Sequence, residues 1–490
     1  MKQPDILLVM SDQHAARYTG YDGGMADTPN LDAMAAEGTR FDAHYTSCPL
    51  CVPARMSFVS GALPTRIGVT NNRQTIPETR PTFLFPLVEA GYETVLIGRM
   101  HFIGKDLRHG FMRRIGGDMT PTCWSLPHSV PAAEKGDLYP AFASSGEPKI
   151  VGGGESPVMY YDREIVRLAL EYLACPHDKP QFIVVGTFGP HSPLVAPPDL
   201  YLKYRERNYL PPDFHVFPDF VSGNPWLASH RFPEISDEQG RKAAAAYCAL
   251  IEQTDGYIGQ LRSAFCTYTK RAGHAGVFGY TSDHGDMIGS RKMYGKQTFF
   301  EDSVRVPLVL TGDGIPAGRI ITDPTGIMDL GPTFCELAGT SYEGRFVDGI
   351  SLTPMLAADY KKGASAHPVI SQLMETAGRR PEGKISYAVM VREGKWKYIR
   401  YHGSPETAVL FDMEKDPNET VNRIERCPEI AKHLNDAAEQ AADAASAEQE
   451  HRERMRMSRW LTVCESAAGT PDLERWKDNP ETARGQLAVE

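Results

Sequence analysis

The sequence predicts an α/β protein, with a large central β-sheet flanked by helices and a smaller C-terminal α+β subdomain. Three observations carry this. Four short apolar runs have the unbroken hydrophobicity of strands buried on both faces, and each ends in polar residues. Stretches with helical start and stop signals lie between them. After Leu356 the chain changes to paired strand-like segments and an Ala-rich run.

Asp5 to Ser11 leads into Asp12-Gln13-His14, and Thr94 to Ile97 into Gly98-Arg99-Met100-His101. Gln181 to Thr187 leads towards Pro190-His191, and Gly276 to Ser282 into Asp283-His284-Gly285-Asp286. In open α/β sheets, sites assemble beyond the carboxyl ends of the strands. Four strands that each deliver Asp, His or Arg there predict one shared polar site. Thr28 to Gly38 has a Thr cap, Pro at the first position and a closing Gly, which predicts a helix. Segments 112–155 and 205–235 are rich in Pro, Gly and isolated aromatics without periodicity, and read as long pocket-shaping loops. Tyr387 to Tyr401 reads as two strands around a Glu-Gly turn. Glu429 to Met457 reads as a helix whose basic end suits its dipole. A boundary near residue 365 divides a catalytic domain, 1–365, from a C-terminal subdomain, 366–490. No internal repeat is visible.

A chain of 490 residues exceeds what one hydrophobic core usually serves, in line with that division. The formal net charge of −10, with no Lys/Arg stripe to offset it, argues against nucleic acid as a partner. A small anionic substrate stays compatible, because a local cluster of cations can oppose the global sign. The start, Met1-Lys2-Gln3-Pro4-Asp5, shows no signal peptide, and no run reaches the roughly 20 apolar residues of a membrane span. The nine cysteines are odd in number and scattered, unlike a disulfide framework. The expected location is cytoplasmic. The C-terminal helix and tail, residues 429–490, offer a surface for self-association into a homo-oligomer.

The segment Cys51-Val52-Pro53-Ala54-Arg55, continuing to Ser60-Gly61, places Cys51 just before a helix N-terminus. Unpaired backbone N–H groups there favour an anion or an acidic nucleophile. Other readings of a cysteine are open at this point. It can be a small buried hydrophobe, and Cys48-Pro49-Leu50-Cys51 is also a CxxC of the redox or half-zinc kind.

Cys-x-Pro-Ala-Arg followed by Ser-Gly resembles the signature of the formylglycine-dependent (type I) sulfatases. The resemblance spans most of the chain. Thr28-Pro29-Asn30-Leu31-Asp32 and Gly38-Thr39-Arg40-Phe41 are similar to the approach to that signature, and Gly98-Arg99-Met100-His101 to its Gly-Lys-x-His element. Pro190-His191, Thr281-Ser282-Asp283-His284-Gly285-Asp286 and Gly295-Lys296-Gln297-Thr298 resemble later landmarks, as do Asp348-Gly349-Ile350-Ser351-Leu352 and Phe411-Asp412 to Pro417. The pattern departs from most arylsulfatases in having Gln13 after Asp12 and Arg99 in place of a lysine. Asp12-Gln13 with Asp283-His284 is closer to the choline sulfatase and phosphonate monoester hydrolase branches.

The resemblance implies an alkaline-phosphatase-like fold with a mixed central sheet. It implies a sulfuric ester hydrolase, with a phosphonate monoester or phosphodiester hydrolase as the alternative and a non-catalytic binding protein as a third reading. Cys51 would be oxidised to formylglycine by a dedicated maturation enzyme. Its hydrate would attack sulfur, and the remaining hydroxyl would later expel sulfate. Asp12, Gln13, Cys51, Asp283 and His284 would hold a divalent cation. An oxygen-rich set suits Ca²⁺ or Mg²⁺, one imidazole tilts towards Mn²⁺, and family habit favours Ca²⁺. Arg55 would hold the hydrate, His101 would take its second proton, and His191 and Lys296 would bind the ester and protonate the leaving group. Asn72, with Asn71 as its rival, and Arg99 would contact the sulfate oxygens. Trp124 falls where choline sulfatases carry aromatics, and its ring face suits a quaternary ammonium.

Overall fold

The computed structural model describes residues 3–124, 148–363, 367–374, 387–403, 407–470, 472, 474–476 and 485–490. Its centre is an eight-stranded mixed sheet. Across it run Arg319–Ile321, Thr39–Phe41, Leu308–Gly312, Gly276–Ser282, Asp5–Asp12, Gln181–Pro190, Glu93–Gly98 and Arg113–Ile115. The four apolar runs of the sequence are four adjacent, mutually parallel strands in the middle of this order. Their carboxyl ends therefore open on one side. Leu308–Gly312 pairs antiparallel with Gly276–Ser282, and this makes the sheet mixed.

The first strand shows why the runs are continuous rather than alternating. Ile6, Leu8 and Met10 pack on one face with Val52, Met56 and Val59 of the helix Cys51–Ser60. Leu7 and Val9 pack on the other face with Ile165 and Val166 of the helix Pro157–Ala174 and Ile258 and Leu261 of Asp237–Ala272. Both faces are covered, so both must be apolar. The 36-residue helix Asp237–Ala272 opens with a capping box, Ser236 with Gln239, and stops at left-handed Gly273.

The expected helix after Thr28 is present as Pro29–Glu37. The Thr28 hydroxyl does not cap it but donates to Asp32 Oδ1 at 3.0 Å. Gly38 is required by close approach, since a Cβ there would lie 2.1 Å from the Leu310 carbonyl. Cys51 is the first residue of its helix and Leu50 the N-cap, so the helix begins one position earlier than the sequence suggests. The 205–235 stretch contains two short helices, Asp219–Ser222 and Pro225–Ala228, the second capped by Asn224. The 112–155 stretch holds strands at both ends, Arg113–Ile115 and Val151–Glu155, and residues 125–147 lie outside the described set.

The boundary expected near 365 falls among residues 364–366, also outside the described set. Beyond it, Val369–Met374, Tyr387–Glu393, Trp396–Tyr401 and Thr407–Asp412 form a four-stranded antiparallel sheet, with the expected turn at Gly394. The Ala-rich run is two helices. Pro428–Ala441 stops, Asp443 restarts the chain by accepting from Ser446 N, and Ala444–Ala468 runs on past the basic residues to Gly469. Those basic residues therefore lie within a helix rather than at its end. The tail returns to its own chain. Gln486–Val489 pairs with Val151–Glu155, which pairs with Leu194–Ala196. Glu474 and Trp476 bond to the backbone of Asp118. Among the described residues no helix is long and apolar enough to cross a membrane.

Candidate active site

Strand ends and one helix entrance converge on Cys51. Asp12 and Asp283 come from neighbouring parallel strands, and the helix begun by Cys51 meets them from beyond the sheet. Ligand atoms of Asp12, Cys51, Asp283 and His284 all lie within 4.8 Å of one another, and all four residues are buried. The thiol Sγ is 3.9 Å from Asp12 Oδ1, 3.3 Å from His284 Nε2 and 3.1 Å from Lys296 Nζ. Gln13, held in a left-handed conformation, turns its side chain to the same cluster, and its Oε1 accepts from Lys296 Nζ at 2.7 Å.

The two carboxylates divide their oxygens between cations and cluster. Arg55 Nε donates to Asp283 Oδ2 at 2.8 Å, and its Nη2 to Asp12 Oδ2 at 3.2 Å. Arg99 Nε reaches the same Asp12 oxygen at 2.7 Å. Asp12 Oδ1 and Asp283 Oδ1 instead face His284 Nε2 at 3.8 and 3.7 Å. Two carboxylate oxygens and an imidazole turned to one point, with the Gln13 amide oxygen on Lys296 nearby, form a donor set that fits a hard or borderline divalent cation. Burial alone would push the Asp12 carboxyl up, but Arg99, His191, Lys296 and Arg55 hold it well below the usual range. Burial pushes His284 down to about 4, leaving a neutral imidazole with a lone pair to offer. Burial and the nearby Asp12 push the Cys51 thiol up against the pull of Lys296.

The remaining expected residues take different positions. Asn72 Oδ1 accepts from Val52 N at 3.0 Å, beside Cys51, whereas Asn71 Oδ1 accepts from Arg73 N in a local turn. The structure thus brings Asn72, not its rival, to the helix entrance. His191 is buried next to two cis peptide bonds, Gly189-Pro190 and Ser192-Pro193, and burial and Lys296 lower its pKa well below the usual value. His101, also left-handed, accepts at Nδ1 from Arg99 Nη2 at 3.0 Å. Arg99 has all three nitrogens on protein acceptors, with Nη1 reaching Asp118 Oδ1 and Thr120 Oγ1, and its guanidinium lies 4.1 Å from the centre of the Phe188 ring. The contacts found for Trp124 run to Arg73, Glu465 and Gly104 rather than to the cluster.

Two buried carboxylates escaped the sequence analysis. Asp286 Oδ2 accepts from the Gln13 amide, and its Oδ1 from Ile288 N and Gly295 N, both at 2.8 Å. Asp118 anchors the Arg99–His101 loop. Asp286 closes the quoted Asp283-His284-Gly285-Asp286 segment, so its position was visible. Asp118, after two glycines in a loop-like stretch, gave no signal.

The mixed α/β sheet brings its strand ends to a buried cluster of two carboxylates, an imidazole and a thiol, and the comparisons give the family. Residues 4–340 match the model for sulfatases, and residues 289–444 match that for the C-terminal part of N-sulphoglucosamine sulphohydrolase. The chain belongs to the sulfatase family and is a sulfuric ester hydrolase. It is 35% identical to choline-sulfatase of Rhizobium meliloti (strain 1021) over 445 residues, covering 86% of this chain and 83% of that protein. It is 26% identical to arylsulfatase K of Xenopus laevis over 456 residues, 88% of this chain and 81% of the relative. The phosphonate monoester hydrolase of Agrobacterium radiobacter superposes with a TM-score of 0.70 at 22% identity, over 92% of this chain and 96% of that one. A protein solved with its substrate D-glucosamine-2-N,6-O-disulfate gives 0.70 at 21% identity, over 92% and 99%. These last two likenesses establish the alkaline-phosphatase-like fold.

Proposed function

We propose that the chain hydrolyses a small sulfate monoester through a formylglycine made from Cys51, with a divalent cation held by Asp12, Gln13, Asp283 and His284 beside residue 51. One observation carries this reading. The side chain at position 51 sits at a helix entrance within reach of Asp12, His284 and Lys296, yet its thiol is pushed away from the thiolate form. An unmodified cysteine there is a poor nucleophile. Oxidation by a maturation enzyme to an aldehyde, and its hydration, supplies one hydroxyl to attack sulfur and a second whose deprotonation later releases sulfate. A divalent cation, Ca²⁺ by family habit and Mn²⁺ or Mg²⁺ otherwise, supplies the charge that lets an anionic ester approach.

The chain's own residues do the rest. Arg55 ties Asp12 to Asp283 by an ion pair to each. Lys296 and His191 hold the ester oxygens, and one of them protonates the departing alcohol. Asn72 fixes the entrance of the Cys51 helix. The choline-sulfatase relative supports a choline-like alcohol. The likeness to phosphonate monoester hydrolases favours phosphonate monoesters as a second substrate class.

The experiment is peptide mass spectrometry across Cys51 in protein from a host that matures sulfatases, with parallel assays on choline sulfate, an aryl sulfate, an aryl phosphonate and a phosphodiester. The reading expects an aldehyde at position 51, activity that scales with it, and preference for a sulfate. A fully active protein with an intact thiol removes the formylglycine. Choline sulfate turning over no faster than the aryl sulfate removes the choline assignment.

A further inference from the structure

Arg99 stands where the family pattern has a lysine, and the structure shows what the planar fork does with its donors. Nε goes to Asp12, Nη1 to Asp118 and Thr120, and Nη2 to His101 Nδ1. A guanidinium only donates, so Nδ1 of His101 must accept. The neutral imidazole then carries its proton on Nε2.

Asp118 holds this arrangement. Its Oδ1 accepts from Arg99 Nη1 at 3.2 Å, Thr120 Oγ1 at 2.7 Å and Thr120 N at 3.0 Å. Its Oδ2 accepts from His101 N at 2.7 Å and Met100 N at 3.2 Å. Five donors from two loops thus end on one fully buried carboxylate. Its backbone is clamped in turn, since Asp118 N donates to the Glu474 carbonyl at 3.0 Å and its own carbonyl accepts from Trp476 N at 2.8 Å. His101 is left-handed at φ 58°, a strained conformation for a side-chain-bearing residue, and the bonds to its own and its neighbour's N–H hold it there.

We propose that Asp118 is the positioning residue of this site: it fixes the Arg99 fork and, through that fork, the Nε2-protonated tautomer of His101. This rests on the sulfatase reading above. A lysine at 99 offers a point charge rather than three directed nitrogens, so it cannot link the Asp12 carboxylate, Asp118 and the imidazole together.

The test uses full-length matured protein, with kcat and KM on a sulfate ester normalised to aldehyde at position 51. Asp118→Asn should lower kcat about 10–100-fold, the usual loss for a partner behind a functional group, with KM within about threefold. In an Arg99→Ala background the same change should cost less than about threefold, because the two residues act as one unit. In ¹⁵N-histidine spectra at neutral pH, with His101→Gln to assign the signal, wild type should show Nε2 protonated and Asp118→Asn a mixture of tautomers. If Asp118→Asn does not fold, Thr120→Val takes its place and should shift kcat in the same direction. Unchanged kcat in the folded variant, equal losses in both backgrounds, or a wild-type signal with Nδ1 protonated would overturn the assignment. Wild-type protein that bears the aldehyde and hydrolyses no sulfate ester would instead overturn the functional reading.

Discussion

Replacing Asp286 by Asn tests how the proposed cation site is aimed. The carboxylate divides its work, Oδ1 accepting from Ile288 N and Gly295 N and Oδ2 from the Gln13 amide. This orients the Gln13 amide, whose Oε1 then faces Lys296 and the cluster. Asp286→Asn keeps the shape and removes one acceptor. Two backbone donors claim the remaining oxygen, so the new NH₂ meets the Gln13 NH₂. That encounter costs about 1–3 kcal/mol for an unsatisfied buried donor, or it turns the Gln13 amide and aims an NH₂ at Lys296 and the cation. Either outcome should weaken metal binding about 10–100-fold, equivalent to about 1.4–2.8 kcal/mol.

The assay is metal content by mass spectrometry after equilibration against graded chelator, with circular dichroism to follow the fold. A second change, Gln13→Glu, should restore affinity, because a carboxylate accepts from the Asn amide and still offers an oxygen inward. Metal affinity within twofold of wild type in Asp286→Asn would refute the argument, as would a double variant that binds more weakly than the single one.

Three further outcomes are expected. Cys51→Ala should abolish turnover while the circular dichroism spectrum is retained, and turnover above background would remove Cys51 from the chemistry. Lys397→Met removes the cation that Glu301 and Glu419 meet at 2.8 and 2.7 Å; Glu301 keeps Arg305 at 3.2 Å, whereas buried Glu419 loses its ion pair. The substitution should cost about 3–5 kcal/mol in urea unfolding, and a loss below about 1 kcal/mol would contradict this. Asp162, which accepts from Phe188 N and Gly189 N, is pushed up to about 7 by burial. Because its folded pKa exceeds the unfolded one, the stability it lends is full below about pH 4 and is lost as pH rises to about 7, by up to about 4 kcal/mol. Asp162→Asn should flatten that slope in pH-dependent denaturation, and an unchanged slope would assign it to other groups.

The centre of the fold was legible because burial on both sheet faces writes a run such as Asp5 to Ser11 without alternation, and strand ends are where polar residues must follow. The residues nearest Cys51 were legible for the same reason. Val151–Glu155 was not, because its three glycines carry no strand pattern; a Cβ on Gly154 would lie 2.1 Å from the Gln486 carbonyl, so the partner's approach dictates the residue. The break at Ala442 was hidden by alanines that suit a helix on either side. Asp118 was hidden because its role is made by backbone N–H groups, which a sequence does not spell.

The clamp of Glu474 and Trp476 on Asp118 has a consequence for how the protein is made. Thr122 and Asp472, which bond in the same contact, are 350 residues apart. At about 5–20 residues per second, a ribosome needs on the order of 20–70 s to deliver the second after the first. Through that interval the loop bearing Arg99 and His101 lacks its anchor. Cys51, only 2% exposed once folded, is already made. If Cys51 is oxidised as proposed, the growing or newly released chain offers its side chain more openly than the finished fold does.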